Sequence, residues 1–146
     1  MVNDLRYKRL ERAKLAGLAG EYEAGYQLLD VLLAQNPDDI EARRLYGNIL
    51  EMHAFSEEKN LPTNARLRSA RSHYRYIIRI DPANRLAIFD LAEHFANIGR
   101  IKFASGLFRR FVALCRQGAC EEFADELHEA ESWLEQFAIP SGGLRT

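Results

Sequence analysis

The chain has 146 residues, 47% of them apolar and 28% charged, with a formal net charge of -1. This composition excludes a disordered polyelectrolyte and suits one domain with its own core, while the near-zero charge excludes bulk attraction to nucleic acid or to an anionic membrane. Electrostatic partners must therefore be met by local patches. The opening run Met1-Val-Asn-Asp-Leu-Arg-Tyr-Lys-Arg has no apolar leader, and no window approaches the roughly 18 uninterrupted apolar residues of a membrane span. A cytoplasmic protein is expected.

Leu5 to Ala19 reads as a first helix, capped by Asn3 or Asp4, with Leu10, Ala13, Ala16 and Gly17 on the side that packs closely and Gly20 ending it. A second runs from about Tyr22 to Gln35 with Tyr26, Leu29, Leu32 and Leu33 as its apolar stripe. Asn36-Pro37-Asp38-Asp39 is a turn that caps the next helix, and Asp81-Pro82-Ala83-Asn84 repeats it. Between these turns, Gly47 and Ala70 take the small positions of two facing helices. The segment His53–Asn64 interrupts them, with a break near Leu61-Pro62 and Thr63 or Asn64 as the new cap. That segment reads as a tolerated surface loop or as a projecting finger with part of a partner site.

Ala65 to Ile80 holds Arg66, Arg68, Arg71, Arg75 and Arg79 and no acid, and buries Leu67, Ala70, Tyr74, Ile77 and Ile78. Leu91, Phe95 and Ile98 recur at helical spacing, as do Phe103, Leu107, Phe108, Phe111, Val112 and Cys115 after Gly99. Glu121 to Phe137 keeps a narrow stripe of Phe123, Leu127, Ala130, Leu134 and Phe137 and faces Glu121, Glu122, Asp125, Glu126, Glu129, Glu131 and Glu135 outward. Such a helix covers the apolar end of a helical stack. Pro140 to Thr146 reads as a frayed tail.

Spacing ties these helices into repeats. Ala13, Gly25 and Pro37 stand twelve apart, as do Ala70 and Pro82, and Ala92 and Ala104. The run Ile88-x2-Leu91-Ala92-x2-Phe95, then Gly99, Ala104-x3-Phe108 and Phe111, resembles the tetratricopeptide repeat pattern W-x2-L-G-x2-Y…A-x3-F. The resemblance covers about Leu5 to Gln117, as repeats near residues 5–37, 38–82 and 83–117, followed by a capping helix at 121–137. It implies an all-α fold: an α-solenoid of antiparallel helix pairs, wound as a right-handed superhelix of about seven helices in one domain near residues 1–139. Pro37 and Pro82 are 45 apart, against a family period of about 34, so the second unit carries the extra residues near 53–64.

Resemblance also implies that the first helix of each repeat lines a concave groove gripping a peptide or helix of a partner protein. By register the groove residues are Leu10, Lys14 and Gly17; Glu41, Arg44, Asn48 and Glu51; and Leu86, Phe89, Glu93 and Ala96. Arg44 and Asn48 suit a carboxylate or a backbone carbonyl, while Leu10 and Phe89 suit apolar contact. They resemble one arm of the carboxylate clamp of some family members, yet Asp90 stands where that clamp expects Asn. Arg9 and Arg43 occupy positions that are usually aromatic, and the third unit ends at Arg116 without its proline.

No chemistry is legible. His53, His73, His94 and His128 are scattered, with no H-E-x-x-H, and there is no phosphate loop and no G-x-S-x-G elbow. Cys115 and Cys120 lack further zinc ligands; two free thiols are expected, and a disulfide only if the turn brings their α-carbons close. The chain reads as a non-enzymatic adaptor, carrier or assembly scaffold without cofactor or metal. Two other readings stay open: self-association through the basic fourth and acidic last helices, and nucleic-acid binding through Arg66 to Arg79 with Tyr74 and Tyr76 interleaved.

Overall fold

The computed structural model describes residues 2–57, 62–118 and 120–137. Those residues form α1 (Val2–Leu18), α2 (Tyr22–Gln35), α3 (Ile40–Ser56), α4 (Ala65–Ile80), α5 (Arg85–Asn97), α6 (Ile101–Arg116), a 3-10 turn (Glu121–Phe123) and α7 (Ala124–Phe137). The fold is all-α and solenoid-like, built from consecutive helix pairs α1/α2, α3/α4 and α5/α6, with α7 against α6. The expected tail and the break at Leu61 lie outside the described residues. The chain divides into two compact units, Met1–Ile80 and Asp81–Thr146, where one continuous domain was the expectation.

Two kinds of turn alternate, and the sequence dictates both. Inside the first and third pairs the turn is a glycine reversal. Gly20 and Gly99 have φ of 79° and 78°, a backbone that side-chain-bearing residues adopt only with strain. The following amides reach back five residues, Glu21 N–H to the Ala16 carbonyl and Arg100 N–H to the Phe95 carbonyl, each at 2.8 Å, and so satisfy carbonyls that the helix end leaves open. Between pairs the turn contains proline and ends in an acceptor. Asp39 accepts from Ala42 N–H at 3.1 Å and Asn84 from Ala87 N–H at 2.9 Å, which supplies a partner to an amide of the first helical turn.

In the first unit Leu10, Ala13, Leu29, Leu32, Ala42 and Ile49 form a buried cluster, with Tyr26, Leu28, Leu33 and Leu45 packed around it. Small residues let the helices approach. A Cβ built on Gly17 would stand 2.9 Å from Ile49 Cγ1, and one on Gly47 2.6 Å from the Tyr74 ring. The extra residues of this pair are partly helical. α3 has 17 residues and α5 has 13, and Asn64 caps α4 by accepting from Arg66 and Leu67 N–H.

In the second unit Ala92 and Ala104 are fully buried, and Phe89 packs on Phe108 and Phe111 at centroid distances of 5.8 and 5.2 Å. Of the stripe expected toward α7, Ala130 is buried and Phe123, Leu127 and Leu134 are half-buried, whereas Phe137 is corrected: it stays 52% exposed against Trp133, and Trp133 meets Phe108 at 4.9 Å. Cys115 and Cys120 are likewise corrected. They form a disulfide, since the turn between α6 and the 3-10 helix brings their α-carbons to 5.3 Å.

Candidate functional site

α1 and α3 run parallel, as two contacts show. Arg6 near the start of α1 pairs with Asp39 and Glu41 at 2.8 Å each, and Gly17 near its end lies against Ile49 and Met52. Lys14 therefore stands on α1 one turn before the level of Ile49. It is exposed, whereas Gly17 is buried. Asp39 does two jobs: its carboxylate caps α3 and binds Arg6, which holds its pKa below the usual carboxylate range against the opposing effect of burial.

On α3, Arg44, Asn48 and Glu51 fall at i, i+4 and i+7 and hence on one face, all half-buried. Tyr74, fully buried through its ring, sends its hydroxyl up between two of them. The oxygen lies 2.7 Å from Asn48 Oδ1 and also bonds the Glu51 carboxylate. One hydroxyl proton cannot serve two acceptors. A carboxylate only accepts, so the proton goes to Glu51, and the Asn48 amide, turned over, donates its NH2 to the same oxygen. Both side chains are thereby fixed before any ligand arrives.

The rest of the expected groove divides between core and surface. Leu10 and Phe89 are 7% and 5% exposed, so neither offers the apolar contact expected of it; the core claims them because each sits where helices face each other. Asp90, which stands where the carboxylate clamp expects Asn, is 8% exposed and likewise buried. Glu41 is exposed but ion-paired to Arg6. Leu86, Glu93 and Ala96 are half-buried on α5, in the second unit.

A feature missed in the sequence runs across α2, α3 and α4. Tyr22 stacks on His53 at 4.4 Å, His53 lies 5.9 Å from Tyr26, Tyr26 5.3 Å from Tyr46, and Tyr46 4.5 Å from His73. Arg43 continues the series. Its guanidinium stands 3.3 Å from His73 Nδ1 and 3.5 Å over the Tyr76 ring, with Arg79 on the same ring at 4.9 Å. Arginine only donates, so His73 Nδ1 accepts and the ring is neutral. Burial, reinforced by the Arg43 charge, pushes the His73 pKa down to about 4. The available signal was an aromatic pair at helical spacing on each helix: Tyr22 and Tyr26, Tyr46 and His53, His73 and Tyr76.

At one end of this ladder the Tyr26 hydroxyl meets His53 Nδ1 at 2.9 Å, His53 Nε2 lies 3.6 Å from Glu57, and Glu57 binds Arg66 at 2.6 Å. Burial pushes the Tyr26 hydroxyl up to about 12, which keeps it a poor nucleophile at neutral pH. The arginines of α4 are partly committed. Arg66 holds Glu57, Arg71 donates to the Pro62 carbonyl, and Arg79 stacks on Tyr76. Among the described residues no group of three His, Cys, Asp or Glu side chains is placed to hold a metal ion, and no helix is long and apolar enough to cross a membrane. The chain matches no protein-family model, and no curated protein matches it significantly in sequence.

Proposed function

We propose that the protein is a non-enzymatic binding scaffold of the tetratricopeptide type, which holds a peptide or helix of a partner protein against α3. One observation carries the reading: Arg44, Asn48 and Glu51 form a polar strip along one helix face, and the Tyr74 hydroxyl fixes two of the three. A strip so held loses little conformational entropy on binding, which favours capture of backbone and carboxylate groups. The ligand is a segment with both donors and a carboxylate, because the strip pairs one cation with an amide and an acid.

Two further observations support the repeat reading. The N-caps Asp39 and Asn84 have nearly the same backbone, φ -70° in both and ψ 99° and 102°, and the glycine turns at Gly20 and Gly99 are equally alike. Nucleic-acid binding is disfavoured by the internal engagements of Arg66, Arg71 and Arg79. A cytoplasmic setting belongs to this proposal.

Affinity capture from the protein's own cell extract, nuclease-treated, tests it. A protein held by the wild type and lost by Arg44→Glu with Asn48→Ala, at unchanged helicity, supports the α3 strip. Equal retention by both chains removes it.

A further inference from the structure

α1 carries apolar residues on two sides. Leu10, Ala13, Ala16 and Gly17 on its inner side are buried. Its outer side carries Tyr7, Leu15 and Leu18, which are 62%, 62% and 68% exposed. A helix that needs only one apolar face to join the core leaves these three wet, and apolar side chains aligned along one strip mark a docking face.

The order of residues along that strip specifies what covers it. Tyr7, Glu11, Lys14 and Leu18, all exposed, fall at i, i+4, i+7 and i+11, the spacing of a coiled-coil seam. Turned end for end, the seam reads Leu, Lys, Glu, Tyr. When two copies of α1 lie antiparallel about a twofold axis between Glu11 and Lys14, Tyr7 meets Leu18 of the second copy and Glu11 meets its Lys14, each contact occurring twice. In a parallel pair Glu11 would face Glu11 and Lys14 would face Lys14. The seam is thus complementary to itself in one direction only.

We infer that α1 is a homodimerisation helix, which docks antiparallel on α1 of a second copy through Tyr7, Glu11, Lys14 and Leu18, with Leu15 flanking the seam. Burial of the apolar residues drives association, and the paired charges choose register and direction. The contact uses the same patch on both copies, so it closes at two rather than propagating. One helix pair is a small interface, and the dimer is correspondingly weak and reversible.

Sedimentation velocity of the full chain, from a few micromolar to roughly 1 mM, is expected to show monomer giving way to dimer. Glu11→Lys or Lys14→Glu alone sets like charges against each other across the seam and raises the dissociation constant about tenfold. An equimolar mixture of those two variants dimerises at least as tightly as the wild type, because every seam charge then meets its opposite. Circular dichroism checks that each variant is folded. A chain that stays monomeric throughout, a dimer indifferent to both reversals, or a mixture no tighter than its components overturns the inference. Arg44 and Asn48 lie off this seam, so Arg44→Glu leaves the dimer intact and loss of the dimer leaves the α3 strip untested.

Discussion

Gly47 and Gly106 are both helical glycines, and their surroundings set opposite expectations for the same substitution. A methyl group at Gly47 would meet Tyr74 Cε1 at 2.6 Å and Cζ at 2.8 Å. That ring is fully buried and its hydroxyl is anchored by Asn48 and Glu51, so it has little room to yield. Gly47→Ala is expected to destabilise the first unit by about 1–3 kcal/mol, the usual cost of overpacking. Gly106 has nothing within 4 Å of such a methyl. Gly106→Ala there removes backbone freedom from the unfolded chain and is expected to stabilise by about 0.5–1 kcal/mol. Urea midpoints measured by circular dichroism should move in opposite directions. Equal shifts, or a stabilising Gly47→Ala, would show that the close approach of α3 to α4 is looser than these distances.

At the scale of elements, the ring ladder makes the packing of α4 on α3 sensitive to acid. His73 faces Tyr46 and Arg43 of α3, with Asp30 of α2 as the nearest acid in electrostatic effect. Its folded pKa is about 4 against an ordinary 6.5, so between those values the unfolded chain binds a proton that the folded chain refuses. Stability therefore falls as pH drops from 6.5 to 4, and the half-buried site makes the loss on the order of 2 kcal/mol. Asp39 acts lower. Arg6 depresses its pKa below 3.8, so its contribution is present above that value and is lost as pH falls through the folded pKa. Two windows follow, and His73→Phe should flatten the upper one alone in a series of urea melts against pH. A slope unchanged by that substitution would place the acid sensitivity elsewhere. This ladder was not legible because its rings come from three helices, and periodicity reports only what one helix turns the same way. By contrast, the limits of α2 and α4 were legible, since capping residues and apolar stripes are local.

For the whole molecule, the order of the helices and the turns between them were readable, while the assignment of single side chains to groove or core was not. Leu10 and Phe89 occupy register positions that could face either way, and only the packed helices decide that they face inward. The pairing of Cys115 with Cys120 depends likewise on a turn whose closure no spacing rule fixes. The same disulfide gives a test of the division into two units. Trp133, the one tryptophan of the chain, packs on Phe108 in the second unit, so its fluorescence reports that unit, whereas circular dichroism reports both. The disulfide closes a short loop at the end of α6, and opening it is expected to cost that unit about 2 kcal/mol through freedom regained by the unfolded chain. Reduction, or Cys115→Ser with Cys120→Ser, should therefore lower the urea midpoint seen by Trp133. Gly47→Ala should lower a dichroism midpoint and leave Trp133 where it was, because its damage lies in the other core. If Trp133 followed Gly47→Ala in full, the two units would unfold as one cooperative body, and substitutions in either would have to be read against the stability of the whole.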